Sequence, residues 1–261
     1  MFQGLNMAAI IESLNNSREE VTAALLVIGN EILSGRTKDK NIGFIASHCT
    51  GIGIRLKEVR VVADDEAAII SAVNALRNAY TYVFTTGGIG PTHDDITADC
   101  IARAFAVSID IDPRAVALMR ERYAEADLTP TRLRMARIPA GAELIDNPVS
   151  KAPGFMIGNV IVMAGVPAIM QAMLLAVTPS LKTGAKLVSE TIRVNAPEGR
   201  IAEPLANCQQ AFPDVSMGSY PFFEDGRYGT NLVLTSTDTL VLARAKADLT
   251  ARLPADVSFC G

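Results

Sequence analysis

The sequence predicts an α/β protein, with a three-layer αβα domain on a mostly parallel sheet followed by a small βαββα domain. Apolar runs of strand length alternate with segments of helical periodicity as far as residue 181, which is the pattern of parallel βαβ units. Glycines follow several of these runs. The pattern changes near Thr183, after which one strand, a helix, two adjacent strands and a last helix are expected. Apolar residues make up 49% of the 261 residues, enough for a sizeable core.

The first strand is the apolar run 23–28, which ends at Gly29. After a polar loop, residues 42–47 recur at helical spacing and predict a helix. Residues 54–62 predict a second strand, and the helix after it carries apolar residues along one face. These are Ile69, Val73, Leu76 and Tyr80.

The third strand, residues 82–86, runs directly into a glycine-rich segment at 87–90. A helix is expected over 95–105 and another over 113–126, because Pro113 suits a first helical turn. In parallel sheets ligands bind beyond the carboxyl ends of the strands, which is where these glycines should lie.

A charge-free segment, residues 152–181, is long enough to resemble a membrane span of about 20 residues. Gly165 and Pro167 interrupt it, so we expect a buried strand over 160–164, a turn and an apolar helix. Central strands of parallel sheets read as such continuous apolar runs.

The last third predicts the elements of the small domain, which are a strand at 190–195, a helix at 201–212, a strand pair at 216–222 and 232–236, and a helix at 240–253. The expected organisation is an N-terminal extension (1–20), a first domain (21–183) and this small domain (184–261). Packing or oligomerisation is its favoured role, because it carries no evident catalytic cluster. Its element order resembles small RNA-binding folds, but the sequence has no basic run that would favour nucleic acid.

Charge and composition exclude several classes of protein. Lys and Arg number 24 against 28 Asp and Glu, a net charge of -4, so binding to nucleic acid or to a membrane surface is not expected. The four cysteines are far apart and there are two histidines, which disfavours a zinc site or a disulfide framework. The N-terminus lacks the layout of a secretory signal, so the expected location is cytoplasmic.

The strongest chemical signal is the segment 85–97, TTGGIGPTHDDIT, between a strand and a helix. Gly87, Gly88 and Gly90 leave the backbone open to a bulky anion, and peptide N–H groups near a helix N-terminus suit phosphate. Asp94 and Asp95 place two carboxylates beside that loop, and such oxygen ligands suit Mg²⁺. The alternative is a tight turn with two acidic residues favouring the helix end, each worth ~1 kcal/mol or less.

Five segments together carry a family resemblance: 85–97, GNEILSG at 29–35, DKN at 39–41, NPVSKAPGF at 147–155 and GVP at 165–167. Over residues 22–180 the chain resembles the molybdenum-cofactor-biosynthesis (molybdopterin-binding) domain. The nearest branch is the N-terminal part of the CinA family of competence/damage-inducible proteins, and the branch includes the N-terminal domain of eukaryotic FAD synthases. CinA proteins usually continue into a deamidase domain, whereas this sequence ends at Gly261, so deamidase activity is not expected.

The resemblance implies binding of a nucleotide or pterin phosphate at the glycine loop, in a homo-oligomer such as a dimer or trimer. Its leading implication is a metal-dependent pyrophosphatase acting on ADP-ribose-like compounds. In that hypothesis Asp94, Asp95 and Thr97 are catalytic, with the two aspartates also the tentative metal ligands. The remaining expected ligand-binding residues are Thr86, Glu31, Asn41, Lys151, Gly165 and Pro167.

Two alternatives stay open. One is a molybdopterin-binding or adenylyl-transferring protein of molybdenum-cofactor biosynthesis. The other is a non-catalytic nucleotide-binding module, because Asn30 stands where the family usually has Asp and an amide lacks the charge for strong metal binding.

Some neighbouring side chains have two interpretations. His93 can act as an acid or contact phosphate, although an exposed loop residue is favoured. Arg132, Arg134 and Arg137 can supply guanidinium forks for phosphate, although a solvent-facing surface is favoured. Cys100 is expected in the core.

Overall fold

The computed structural model describes residues 20–224 and 226–259. The chain divides into two compact units with the boundary between Gly184 and Ala185, and each is described by itself. The N-terminal extension expected from the sequence lies outside the described residues except for Glu20.

The first unit contains eight strands and seven helices among the described residues. Its strands are β1 (Thr22–Ile28), β2 (Arg55–Val62), β3 (Tyr82–Thr86), β4 (Ile109–Ile111), β5 (Arg137–Pro139), β6 (Glu143–Ile145), β7 (Gly154–Ile157) and β8 (Val160–Met163). Its helices are α1 (Asn30–Leu33), α2 (Asn41–Gly51), α3 (Glu66–Ala79), α4 (Thr97–Ala104), α5 (Pro113–Arg120), α6 (Pro130–Leu133) and α7 (Pro167–Val177).

Six of these strands form the central sheet, in the order β2-β1-β3-β8-β7-β6. The first four are mutually parallel, while β7 runs antiparallel to both of its neighbours. Strands β4 and β5 form a separate antiparallel pair. The expected α/β fold with a mostly parallel sheet is confirmed.

Helices cover both faces of this sheet. Leu26 and Ile28 of β1 pack into one core with Leu76 of α3 and Ile101 of α4. The alternate residues of β1, such as Leu25, pack into a second core with residues of α2 and α7. Because successive side chains of a strand point to opposite faces, burial on both sides explains why β1 reads as a continuous apolar run.

The charge-free segment 152–181 folds as expected into strand β8, a turn and helix α7, after strand β7. None of the helices in the described ranges is both long enough and apolar enough to cross a membrane. The helix expected over 113–126 is shorter than predicted and ends at Arg120, since a turn and the 3-10 segment Glu125–Asp127 follow.

The second unit has the order β9 (Val188–Val194), α8 (Glu198–Ala211), β10 (Ser216–Glu224), β11 (Arg227–Ser236) and α9 (Thr239–Arg252). Its sheet is antiparallel in the order β10-β11-β9. Ile192 and Leu234 from the sheet form one core with Ile201 of α8 and Leu242 of α9. The βαββα arrangement expected from the sequence is therefore confirmed.

Candidate functional site

Three loops meet where β1, β3 and β8 end at the same edge of the sheet. A Cβ atom on Gly165, after β8, would lie 3.3 Å from Cα of Gly87, after β3. The side-chain amide of Asn41 donates to the carbonyl oxygen of Gly165 at 2.9 Å, which joins the loop after β1 to the other two. The segments singled out in the sequence thus lie together.

The loop after β3 requires glycine at two successive positions. Gly87 and Gly88 have φ of 102° and 68°, values that side chains rarely adopt. A Cβ on Gly87 would lie 2.1 Å from the carbonyl oxygen of Ile28, and one on Gly88 would lie 2.1 Å from Oγ1 of Thr97. Neither position can therefore carry a side chain without displacing its neighbours.

Three successive peptide N–H groups of this loop are free to bind a ligand. Gly87 N–H donates to the carbonyl of Met163 at 3.2 Å. By contrast, the N–H groups of Gly88, Ile89 and Gly90 donate to no acceptor within residues 20–224 and 226–259. Consecutive unpaired N–H groups in a turn of positive φ form the concave donor arrangement that binds anions.

Thr97 holds the loop in this shape. It is fully buried as the first residue of α4. Its hydroxyl donates to the carbonyl of Gly87 at 2.9 Å, and its peptide N–H donates to the carbonyl of Gly88 at 3.0 Å. The hydroxyl of Thr97, a residue expected from the sequence to be catalytic, therefore donates its hydrogen bond within the loop itself.

The two aspartates differ in their surroundings. The Asp95 carboxylate accepts the Thr92 N–H at 2.8 Å and also the Thr92 hydroxyl, and it lies 2.6 Å from where a Cβ on Gly90 would be. Asp94 is exposed, and hydrogen bonding to the Thr92 side chain, with a smaller contribution from its own peptide group, lowers the pKa of its carboxyl. The described part of the chain brings together no group of three or more His, Cys, Asp or Glu side chains able to hold a metal.

The loop after β2 adds a carboxylate that the sequence analysis missed, and it contacts the loop after β1. Asp64 follows β2, and its Oδ2 accepts the peptide N–H of Asn30 at 2.8 Å. Glu31 folds back over Gly29, where a Cβ would lie 2.6 Å from either of its carboxylate oxygens. Since β2 neighbours β1 in the sheet, the position of Asp64 just beyond the end of β2 was the signal that pointed to this edge.

Two buried polar atoms near this edge have no partner. Asn41 is 4% exposed and Thr86 is 1% exposed. Oδ1 of Asn41 and Oγ1 of Thr86 form no hydrogen bond with any residue that the structure describes. A buried polar atom left unpaired costs about 1–3 kcal/mol, so these atoms are candidates for contact with a ligand.

Pro167 and Lys151, the two remaining residues expected to bind the ligand, lie in different surroundings. Pro167 begins α7 two residues after Gly165 and so borders the site. The ammonium group of Lys151 lies 2.7 Å from the Glu121 carboxylate, and this hydrogen bond raises the pKa of Lys151. Lys151 also has φ of 62°, in the left-handed region.

A small cavity of about 20 Å³ opens beside the glycine loop. Gly88 and Gly90 form one wall, and Asp95, Arg134 and Phe155 are among the residues that complete it. A water molecule needs roughly 10–15 Å³ of such space, so the cavity accepts one small group.

A loop of free peptide N–H groups at the carboxyl edge of a parallel sheet defines an anion-binding α/β domain. Residues 24–183 match the family model described as "Probable molybdopterin binding domain", and the chain belongs to this family. Residues 186–259 match a second model, described as "FAD synthase, middle domain".

Similar proteins, two of them with CinA names, support the assignment to this family. A protein of Thermoplasma acidophilum is 39% identical over 158 residues, which cover 59% of this chain and 62% of that protein. A "CinA-like protein" of Desulfosudis oleivorans is 34% identical over 209 residues, covering 75% of this chain and 51% of that protein. The crystal structure of "the protein CinA with unknown function" from T. acidophilum matches with a TM-score of 0.58 and 38% identity, over 63% of this chain and 99% of that one.

These matches confirm the resemblance to the molybdopterin-binding and CinA-like proteins. They also correct the leading functional hypothesis. The expectation of a metal-dependent pyrophosphatase acting on ADP-ribose-like compounds is wrong, because the family that matches most of the chain is described by molybdopterin binding and not by hydrolysis.

Proposed function

We propose that this chain binds a phosphorylated pterin, with molybdopterin as the leading ligand, and acts in molybdenum-cofactor biosynthesis. The observation that carries the proposal is the row of unpaired N–H groups at Gly88, Ile89 and Gly90. Three such donors can stabilise phosphate oxygens. The membership of residues 24–183 in the molybdopterin-binding family supports a pterin as the rest of the ligand.

The proposal assigns the first domain, residues 21–183, to ligand binding. Asn41 Oδ1 and Thr86 Oγ1 would contact the ligand, because both are buried and lack a partner among the described residues. Thr97 would act by holding the loop, since its hydroxyl donates to Gly87. The small domain, residues 184–261, would take the packing or oligomerisation role, in a dimer or trimer located in the cytoplasm.

A resident Mg²⁺ is not part of this proposal. Asp95 already accepts two hydrogen bonds from Thr92, and the described residues offer no third acidic or imidazole ligand grouped with Asp94 and Asp95. Among the described residues, Asp94 and Asp95 therefore do not make a metal site from protein ligands alone.

An enzymatic step in cofactor or nucleotide metabolism is compatible with this family. The specific candidate is transfer of an adenylyl group to the pterin phosphate. A second candidate function, a nucleotide-binding module without turnover, is favoured by the match of residues 186–259 to a domain of FAD synthase and by the amide of Asn30.

The first test is an anaerobic fluorescence titration of the purified chain with molybdopterin and with its dephosphorylated form. We expect the phosphorylated form to bind more tightly. Incubation with molybdopterin and ATP, followed by product analysis, then tests adenylyl transfer, and titration with AMP and FAD tests the nucleotide-binding candidate. Absence of molybdopterin binding at millimolar concentrations would refute the proposal.

A pair of near-isosteric variants sharpens this test. Thr86→Val removes a buried hydroxyl that has no partner within the described residues, so the fold should not be destabilised, while molybdopterin affinity should fall about 3-fold to 10-fold if the hydroxyl binds the ligand. Thr85→Val is the matched control. The Thr85 hydroxyl is also buried and has no partner within the described residues. Its side chain, however, points to the opposite face of the sheet from Thr86 and Asn41.

A further inference from the structure

Three arginines follow one another closely on the segment that borders the small cavity, and the structure gives each a different environment. Arg137 is held by Asp99 through two hydrogen bonds of 2.7 and 2.6 Å. Arg132 lies over the Tyr123 ring, 4.5 Å from its centroid, and donates to the carbonyl of Asp127 at 2.6 Å. The guanidinium groups of both are therefore engaged by the protein itself.

Arg134 differs from both neighbours. It is half-buried, and its one described hydrogen bond, from Nη2 to the carbonyl of Asp95, is long at 3.3 Å. Its Nε is buried and has no acceptor in the part of the chain that the structure describes. An unsatisfied buried donor on a charged group is costly, which makes this guanidinium a site prepared for an anionic partner.

The volume of the cavity beside Arg134 limits which group can bind there. Arg134 and the glycine loop line the same space of about 20 Å³. This volume accepts one water-sized group and is far too small for a pterin or a nucleobase. An oxygen of a phosphate meets the size limit, and the planar guanidinium fork matches phosphate oxygens.

The carboxylates at the cavity are already engaged. Asp99 is paired with Arg137, and Asp95 accepts the N–H and hydroxyl of Thr92. Neither forms an ion pair with Arg134 in residues 20–224 and 226–259. The positive charge of Arg134 is therefore the one available to a ligand that enters beside Gly88 and Gly90.

We infer that Arg134 is the residue that recognises the ligand's terminal phosphate, with one phosphate oxygen inserted between its guanidinium group and the glycine loop. The inference deepens the proposed function and rests on it for the identity of the ligand. The ring system would lie outside the cavity, so Arg134 sets the preference for phosphorylated over dephosphorylated ligands and leaves recognition of the ring to other residues.

The experiment compares Arg134→Gln with the matched control Arg132→Gln, which removes the same charge from the same segment but not from the cavity wall. Inorganic pyrophosphate is the first probe, in calorimetric titrations at low and moderate salt. Because a hydrogen bond to a charged group is worth about 1.5–3 kcal/mol, Arg134→Gln should weaken binding about 10-fold to 100-fold. Arg132→Gln should stay within about 2-fold, because Arg132 does not line the cavity and its guanidinium is already held by Tyr123 and Asp127.

The second probe is the pair of molybdopterin and dephosphorylated molybdopterin. Arg134→Gln should weaken binding of the first and leave that of the second unchanged, whereas a merely structural role would weaken both equally. Arg134→Lys keeps the charge but loses the fork, so an intermediate affinity is expected. Circular dichroism of each variant confirms that it is folded.

The outcomes separate this inference from the proposed function. If the parent chain binds molybdopterin and Arg134→Gln binds it equally well, the inference is overturned and the proposed function stands. If the parent binds pyrophosphate through Arg134 but does not bind molybdopterin, the anion site stands and the pterin assignment fails. Binding of neither probe overturns both.

Discussion

The glycine loop allows a steric test that does not depend on the ligand. Gly88→Ala places a methyl group 2.1 Å from Oγ1 of Thr97 at a residue with φ of 68°. The left-handed backbone costs about 1–2 kcal/mol for a residue with a Cβ, and overpacking adds about 1–3 kcal/mol. We therefore expect Gly88→Ala to lower the free energy of unfolding of the first unit by about 2–5 kcal/mol.

Two further variants separate the backbone cost from the steric cost. Gly35 has a similar φ of 71°, but no atom lies within 4 Å of where its Cβ would be, so Gly35→Ala should show only the backbone cost of about 1–2 kcal/mol. Thr97→Ala removes the atom that the Gly88 methyl would meet and leaves Cβ of residue 97 as the nearest contact, at 3.2 Å. In that background Gly88→Ala should cost about 1–2 kcal/mol, close to the Gly35 value.

The assay is urea denaturation of the four variants and the parent, followed by circular dichroism and fitted with separate transitions for the two units. The expected result is a coupling free energy of about 1–3 kcal/mol between positions 88 and 97. Additive effects of Gly88→Ala and Thr97→Ala would refute the steric reasoning and with it the role of Thr97 in holding the loop.

Three other predictions concern groups around the site and the core. Burial lowers the pKa of His48, whose Nε2 lies 2.8 Å from the Thr178 hydroxyl. The unfolded chain therefore binds the proton more tightly than the folded chain, and the free energy of unfolding should fall as the pH drops below about 6.5. Denaturation of His48→Gln at several pH values should show a smaller fall in the free energy of unfolding. Lys151→Gly should leave the free energy of unfolding unchanged or raise it by up to about 1 kcal/mol, because it relieves a left-handed lysine and gives up a partly exposed ion pair with Glu121 worth about 0–1 kcal/mol. A clear fall in melting temperature would contradict this. Asn30→Asp adds a negative charge beside Glu31 and Asp64. Repulsion between this charge and the ligand should weaken pyrophosphate binding about 2-fold to 5-fold, measured by metal-free calorimetry at low salt. Asn30→Gln adds no charge and should leave pyrophosphate binding unchanged.

The sequence predicted those parts of the fold that depend on local pattern. The strand at 82–86 was predicted with the bounds that the structure gives it, because an apolar run bounded by glycine has few alternatives. The pair β4 and β5 was not predicted. Each strand has three residues, too few to show a period of two, and their pairing depends on residues distant in sequence.

At the candidate site, too, some residues could be identified from sequence and others could not. Gly87 and Gly88 could be identified from sequence, because a positive φ and a close approach of backbone leave no other residue type. The role of Thr97 could not be predicted from sequence, since its hydroxyl can donate equally well to a ligand or to the loop. In the structure the turn brings the carbonyl of Gly87 within 2.9 Å of this hydroxyl, which therefore donates to the loop.

The three arginines show why charge at a site is the hardest property to read from sequence. Arg132, Arg134 and Arg137 are chemically identical and separated by two or three residues, so spacing assigns them the same role. Tertiary structure distinguishes them, because Asp99 comes from α4 to neutralise Arg137 and the Tyr123 ring stacks on Arg132. Availability of a charge is decided by what the fold places opposite it. The engagement of the outer two arginines is therefore what makes Arg134 the cation available to a phosphate at the glycine loop.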